Sequence, residues 1–80
     1  MNVNCKEKSH LESKLKFIGI ALREMRINEG KRQIDYLNEG LSRRQIQTAE
    51  TGNNITLKKL LLILDCYGYS LTDVDWNNYN

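Results

Sequence analysis

The sequence predicts an all-α domain of five helices with no strand. Three observations lead there. Apolar residues recur at steps of three and four rather than alternating. Ser or Thr patterns that cap helices stand before four of the five apolar runs. Glycines at 30, 40, 52 and 68 separate the runs, in a chain with no proline.

Residues 1–10 are polar and lack apolar period, so a mobile arm is expected there. Ser9 to Glu12 has the form of a capping box, opening a first helix with Leu11, Leu15, Ile18, Leu22 and Met25 along one stripe. That helix is expected to end near Gly30. Arg32 to Glu39 reads as a short second helix, with Ile34 and Leu37 as its buried pair, and Gly40 breaks it. Ser42 to Gln45 is a second capping box, starting a third helix that runs to Thr51 before Gly52 stops it. Losing the Ser42 cap would cost about 1 kcal/mol. Thr56 caps a fourth helix, Leu57 to Tyr67, expected to bury Leu57, Leu60, Leu61 and Leu64, with Ile63 a further candidate, while Lys58 and Lys59 stay in water. Gly68 ends it. Ser70 to Asp73 opens a last short helix with Leu71, Val74 and Trp76 as apolar contacts. The expected domain is 11–76, with 77–80 as a tail.

Eighty residues allow one domain with a modest core. The net charge of +2 is small, but it is divided unevenly. Residues 1–60 hold all twelve Lys and Arg against seven acids, a balance of +5; residues 61–80 hold Asp65, Asp73 and Asp75 and no base, −3. A cationic front with an acidic end suits a polyanion-binding face and a separate surface turned away from it. The longest apolar run, Leu60 to Leu64, is far too short to span a bilayer. No signal-peptide pattern opens the chain, so a cytoplasmic location with Cys5 and Cys66 reduced is expected. Cys66 lies in an apolar run and reads as a small core residue. Neither cysteine nor His10 has partners at metal-ligand spacing, and no catalytic carboxylate pair, phosphate-cradling glycine loop or Ser/His/Asp set occurs, so neither a cofactor nor an enzyme is expected.

Two short helices around a glycine turn at about 32–51 have the form of a helix-turn-helix unit. The second of them is brief, polar and cationic outside, with Ile46 its aliphatic anchor. Arg43, Arg44, Gln47 and Thr48 would project together from it. Such a helix fits the major groove, where Arg reads guanine, Gln reads adenine and Thr can bond a base or touch the thymine methyl.

The run Gly40-Leu41-Ser42-Arg43-Arg44-Gln45-Ile46-Gln47-Thr48-Ala49-Glu50-Thr51-Gly52 resembles the recognition-helix signature of the Cro/CI (XRE) family: a turn Gly, an apolar residue and Ser, an apolar anchor four residues on, then Glu-x-Gly. Leu22-Arg23-Glu24-Met25-Arg26 with Gly30 is similar to that family's first helix. Asn54-Ile55-Thr56-Leu57 with Leu60, Leu61 and Leu64 is similar to its fourth, and Gly68-Tyr69-Ser70-Leu71 to the start of its fifth. The likeness covers residues 17–76. It implies a five-helix lambda-repressor-like DNA-binding domain. Arg43, Arg44 and Thr48 match base-facing positions, and Gln47 a more variable exposed one. Gln33 matches a phosphate-bonding position; Ser42, Asn53, Asn54 and Lys58 complete the expected phosphate contacts. Arg26 and Glu50 match a structural ion pair. The chain departs from the family in one place, because the span from Gly30 to Gly40 is one residue short. The small residue that the family keeps in the second helix is displaced, Asp35 or Tyr36 stands near its site, and a shortened or irregular second helix is implied.

The function expected is sequence-specific binding of double-stranded DNA by a transcriptional regulator, a repressor in the first instance, acting as a homodimer with Leu71, Val74 and Trp76 at the dimer surface. The alternative is an antitoxin with a toxin partner, or a protein-interaction adaptor on the same fold, since a fold does not dictate function.

Overall fold

The computed structural model describes residues 7–75, apart from the side chains of residues 7–10 and 38. Every regular element among the described residues is helical, with no strand among them: helix α1 (Glu7–Asn28), a first 3₁₀ helix (Gln33–Glu39), α2 (Arg43–Glu50), α3 (Leu57–Tyr67) and a second 3₁₀ helix (Leu71–Asp73). None of these helices is long and apolar enough to cross a membrane.

α1 is about 33 Å long at 1.5 Å per residue, and it starts earlier than expected. Ser9 lies inside it and does not stand at its head. Glu7, Lys8 and Glu12 are straight-chain residues that lose little freedom in a helix, so nothing halts it upstream of Ser9. The rest of the expected arm (1–6, with Cys5), the His10 side chain, Trp76 and the tail at 77–80 lie outside the described residues.

All three α-helices end alike. At each end two successive amides just past the helix reach back to carbonyls five and three residues earlier: Lys31 to Arg26 and Gly30 to Ile27, Asn53 to Thr48 and Gly52 to Ala49, Tyr69 to Leu64 and Gly68 to Asp65. This closure uses up carbonyls that would otherwise lack partners. The starts of α2 and α3 are capped by side chains: Ser42 Oγ accepts from the Gln45 amide at 3.1 Å and Thr56 Oγ1 from the Lys59 amide at 3.1 Å. Gln45 Oε1 accepts in return from the Ser42 amide, completing the capping box.

The core is built where these helices converge. Leu22 of α1, Leu41 of the turn before α2, Ile46 of α2, and Ile63 and Leu64 of α3 are wholly enclosed. Each such side chain contributes about 1.5–3 kcal/mol by leaving water. Met25, Tyr36, Ala49, Leu60, Tyr67 and Val74 complete the cluster, and Cys66 packs half-buried against it.

Four expectations about burial need correcting. In the second segment Ile34 and Leu37 are exposed and Tyr36 is buried instead. The segment is 3₁₀, with three residues per turn, so residues three apart share an edge. Gln33 and Tyr36 occupy the inward edge, which leaves Ile34 and Leu37 on the next one out. On α3, Leu57 and Leu61 are exposed at 63% and 44%. They share a stripe one turn apart, at the edge of the side formed by Leu60, Ile63, Leu64 and Tyr67, and Leu57 stands in the helix's first turn. At the head of α1, Leu11 is 54% exposed. Finally, Val74 is buried at 4% exposure, so it belongs to the core and is not free to form a dimer surface.

α1 and α2 touch backbone to backbone. A Cβ on Gly19 would lie 2.6 Å from Glu50 O, 2.8 Å from Ala49 O and 2.9 Å from Gly52 N. Gly52, at φ +84°, meets Lys16 in the same way, with Lys16 Cα 2.8 Å from where its Cβ would be. Glycine within an otherwise regular helix weakens it by up to about 1 kcal/mol; here it lets two helices cross without intervening side chains.

Candidate nucleic-acid interface

α2 is short, and its inner side is held by more than packing. Glu50, its last residue, is buried, and its two carboxylate oxygens accept four hydrogen bonds. Arg26 Nε reaches Oε2 at 2.7 Å and Arg26 Nη2 reaches Oε1 at 2.9 Å. Gln33 Nε2 donates to Oε1 at 3.1 Å, and the Tyr67 hydroxyl to Oε2 at 2.8 Å. The remaining guanidinium arm of Arg26 donates to Lys31 O at 2.8 Å. One carboxylate thereby ties together α1, the first 3₁₀ helix, α2 and α3. Burial alone would raise the Glu50 carboxyl, but the hydrogen bonds from Arg26, Tyr67 and Gln33 outweigh it and hold the group below its ordinary value. The same bond raises Arg26 further, and burial followed by the bond to Glu50 pushes the Tyr67 phenol upward. The Tyr67 ring meets the Tyr36 ring at 4.9 Å between centroids, tilted by 46°. Among the described residues no buried side-chain nitrogen or oxygen lacks a partner.

The outer side of α2 is different. Arg43, Arg44 and Gln47 are exposed, and Thr48 is half-buried. The ion pairs among the described residues join Arg26 to Glu50 and Arg32 to Asp35, so neither Arg43 nor Arg44 is paired with an acid. The first turn of α2 stands as a ridge between two open clefts. On one side a cleft of about 360 Å³ brings together Ser42, Arg44, Thr48, Asn54 and Lys59. On the other a cleft of about 410 Å³ brings together Arg43, Gln33 and Arg32. The cationic side chains therefore flank a convex helical turn, and the capped N-terminus of α2 lies between them, positive end outward.

Not every expected residue joins this surface. Gln33 borders the second cleft, but its amide is engaged by Glu50. Asn53 lines a different groove, beside Leu15 and Leu57, and its Nδ2 donates to Thr51 Oγ1 at 2.9 Å. Lys58 is exposed but lines neither cleft; Lys59, its neighbour, lines the first. Sequence reasoning missed Gly19, whose position inside a regular helical stripe is the available signal for close packing. It also missed Tyr67 and Gln33 as donors to Glu50. A phenol at the end of an apolar run, which needs a partner once buried, was the hint for the first; nothing local marked the second.

Among the described residues no group of three or more His, Cys, Asp and Glu is placed to hold a metal ion. Comparison with models of protein families, with curated proteins and with solved structures finds no match to this chain.

Proposed function

We propose that this chain binds double-stranded DNA with sequence specificity and regulates transcription, as a helix-turn-helix protein of the Cro/CI type with a lambda-repressor-like fold. In this reading the first 3₁₀ helix and α2 are the two arms of the unit, and α2 lies in the major groove. The observation that carries it is the outer side of α2, where Arg43, Arg44 and Gln47 stand exposed, unpaired with any acid among the described residues, on a helix whose inner side is locked in place. Unpaired guanidinium groups on a convex turn match a concave polyanion whose floor offers acceptor pairs, and Arg bonds guanine there through two parallel bonds. Arg43, Arg44, Gln47 and Thr48 would touch bases. Ser42, Asn54 and Lys59 would touch phosphate across the first cleft, and Arg32 across the second. A single unit of this size makes few contacts, so the active form is a homodimer on a two-fold site, with half-sites about 34 Å apart. Bound across a promoter, it would repress.

Selection of bound sequences from a random duplex pool tests this reading. A two-fold motif should be enriched, and binding to it should weaken steeply with salt, because each Lys or Arg on a phosphate releases condensed counterions. An unenriched pool at low salt would end the reading.

A second reading, an antitoxin or adaptor for a cationic protein, is favoured by one feature. A groove of about 260 Å³ between α1 and the C-terminal segment is lined by Phe17, Ile20 and Met25 together with Glu24, Asp73 and Asp75. Tight binding of a basic protein partner without salt-sensitive duplex binding would select this reading over the first.

A further inference from the structure

On α1, Phe17, Ile20, Glu24 and Ile27 follow one another at steps of three, four and three, so they form one stripe along the helix. Ile20 and Ile27 are 57% and 52% exposed. Phe17, Ile20 and Glu24 line the groove that α1 makes with the C-terminal segment, and Ile27 extends the stripe one turn further. Three carboxylates line this groove and no Lys or Arg does: Glu24 comes from α1, Asp73 and Asp75 from the segment opposite. Tyr69, which also lines it, donates to Glu29 at 3.1 Å and so sets a fourth carboxylate beside it. Among the described residues no ion pair engages Glu24, Glu29 or Asp73. The bases of α1 stay outside: Lys14 and Lys16 stand a turn before Phe17 and Ile20, and Arg23 lies on the edge toward α2.

We infer that this groove docks an amphipathic helix of a partner protein, with apolar residues three and four apart and Lys or Arg beside them. The inference deepens the second reading above by giving the occupant its form. Carboxylates from both walls of an apolar groove complement a cationic segment and repel an anionic one. They also exclude a second copy of the chain on a two-fold axis, which would bring Glu24, Asp73 and Asp75 against the same acids. A helix is the matching shape. Ile20 and Ile27 are two turns apart, the interval at which a helix laid alongside repeats its own apolar contacts. Among the described residues there is no strand whose edge could take an extended peptide instead. Position keeps this surface apart from the cationic one. α2 meets α1 at Gly19, and Glu24 is five residues further on, about 140° round the helix. An occupant of the groove therefore leaves Arg43 and Arg44 uncovered, and one molecule could hold duplex and partner together.

NMR titration of the ¹⁵N-labelled full chain tests this, with a synthetic helical peptide carrying leucines three and four apart and lysines beside them. Amide shifts should move at Ile20, Glu24, Ile27 and Asp73, with a Kd on the order of 10 µM. Glu24→Lys and Ile27→Ser should each weaken binding at least about tenfold and keep the melting temperature, because both side chains are exposed. Arg44→Ala should leave it unchanged. A peptide of the same composition with its leucines scattered should bind at least about tenfold more weakly. No binding at about 1 mM peptide, equal binding of the scattered peptide, or indifference to both Glu24→Lys and Ile27→Ser would overturn the inference. So would the same shifts on concentrating the chain alone, which would make a second copy the occupant. A basic partner protein that binds while these amides stay still would keep the second reading and sink this one. Duplex binding is measured separately, so its failure leaves the groove untouched.

Discussion

Glu50 and Arg44 sit on the same eight-residue helix and are treated in opposite ways. Glu50 faces inward, where four donors from three other segments meet its two oxygens. Arg44 faces outward with no acid paired to it. The inner side of α2 uses its polar chemistry to fix where the helix lies. The outer side leaves its polar chemistry unsatisfied, which makes it available. A change on the inner side should therefore be read in stability, and a change on the outer side in binding alone.

The largest effect should come from breaking the inner side. Glu50→Gln leaves Arg26 buried without its counter-charge and should cost about 3–5 kcal/mol in urea unfolding. The same carboxylate gives a pH signature. Its value in the folded chain lies below the ordinary 4.5, so its stabilisation is complete above 4.5 and is lost as pH falls through the lowered folded value. The wild-type melting temperature should therefore fall on acidification below 4.5, and the gap to Glu50→Gln should narrow. A constant gap would show that the charge of Glu50 is not what holds the hub.

Gly19→Ala should come next. It adds helix propensity, yet its methyl would press on three backbone atoms at the end of α2, and the net loss should be about 1–3 kcal/mol by thermal unfolding. A stabilised variant would mean that the two helices can part at little cost.

On the outer side the expected losses are of similar size but fall on a different quantity. Arg44→Ala should cost about 1–3 kcal/mol of discrimination at one base pair, with stability unchanged within about 0.5 kcal/mol. Equal losses on all sequences would move Arg44 from base to phosphate. The smallest effect should separate two neighbouring lysines. Lys59→Ala should weaken binding to every sequence and reduce the salt slope by about one, and Lys58→Ala should do less, because only Lys59 lines the cleft with Arg44 and Asn54.

Much of the inner side was legible in the sequence, because its signals are local. The Ser42 and Thr56 caps, the breaks at Gly40 and Gly52, and the anchor Ile46 each depend on residues within a turn of one another. What escaped reading depended on a partner far along the chain. Gln33 and Glu50 are 17 residues apart, as are Glu50 and Tyr67, and no periodicity relates them. Ile34, Leu37, Leu57 and Leu61 were misplaced because hydrophobicity marks what prefers to be buried, while helix type and phase decide what is. For Ile34 and Leu37 the deciding fact is a period of three in place of 3.6. For Leu57 and Leu61 it is that α3 carries more leucines than one side of an eleven-residue helix can turn inward. The outer side of α2 was legible as chemistry, through Arg43, Arg44 and Gln47, but its division into two clefts depends on Asn54, Lys59 and Arg32 arriving from other segments.

The tightly wound segment between Gly30 and Gly40 has a consequence for how this chain tolerates change in length. A 3₁₀ helix climbs about 2.0 Å per residue against about 1.5 Å for an α-helix, so its seven residues bridge at least the distance that eight would in the wider form. Overwinding thus lets the segment reach both anchor points with one residue fewer than an α-helical path would need. An extra alanine inserted there should let the coil relax and be accepted more readily than one placed between Gly52 and Thr56, where no spare pitch exists to take it up.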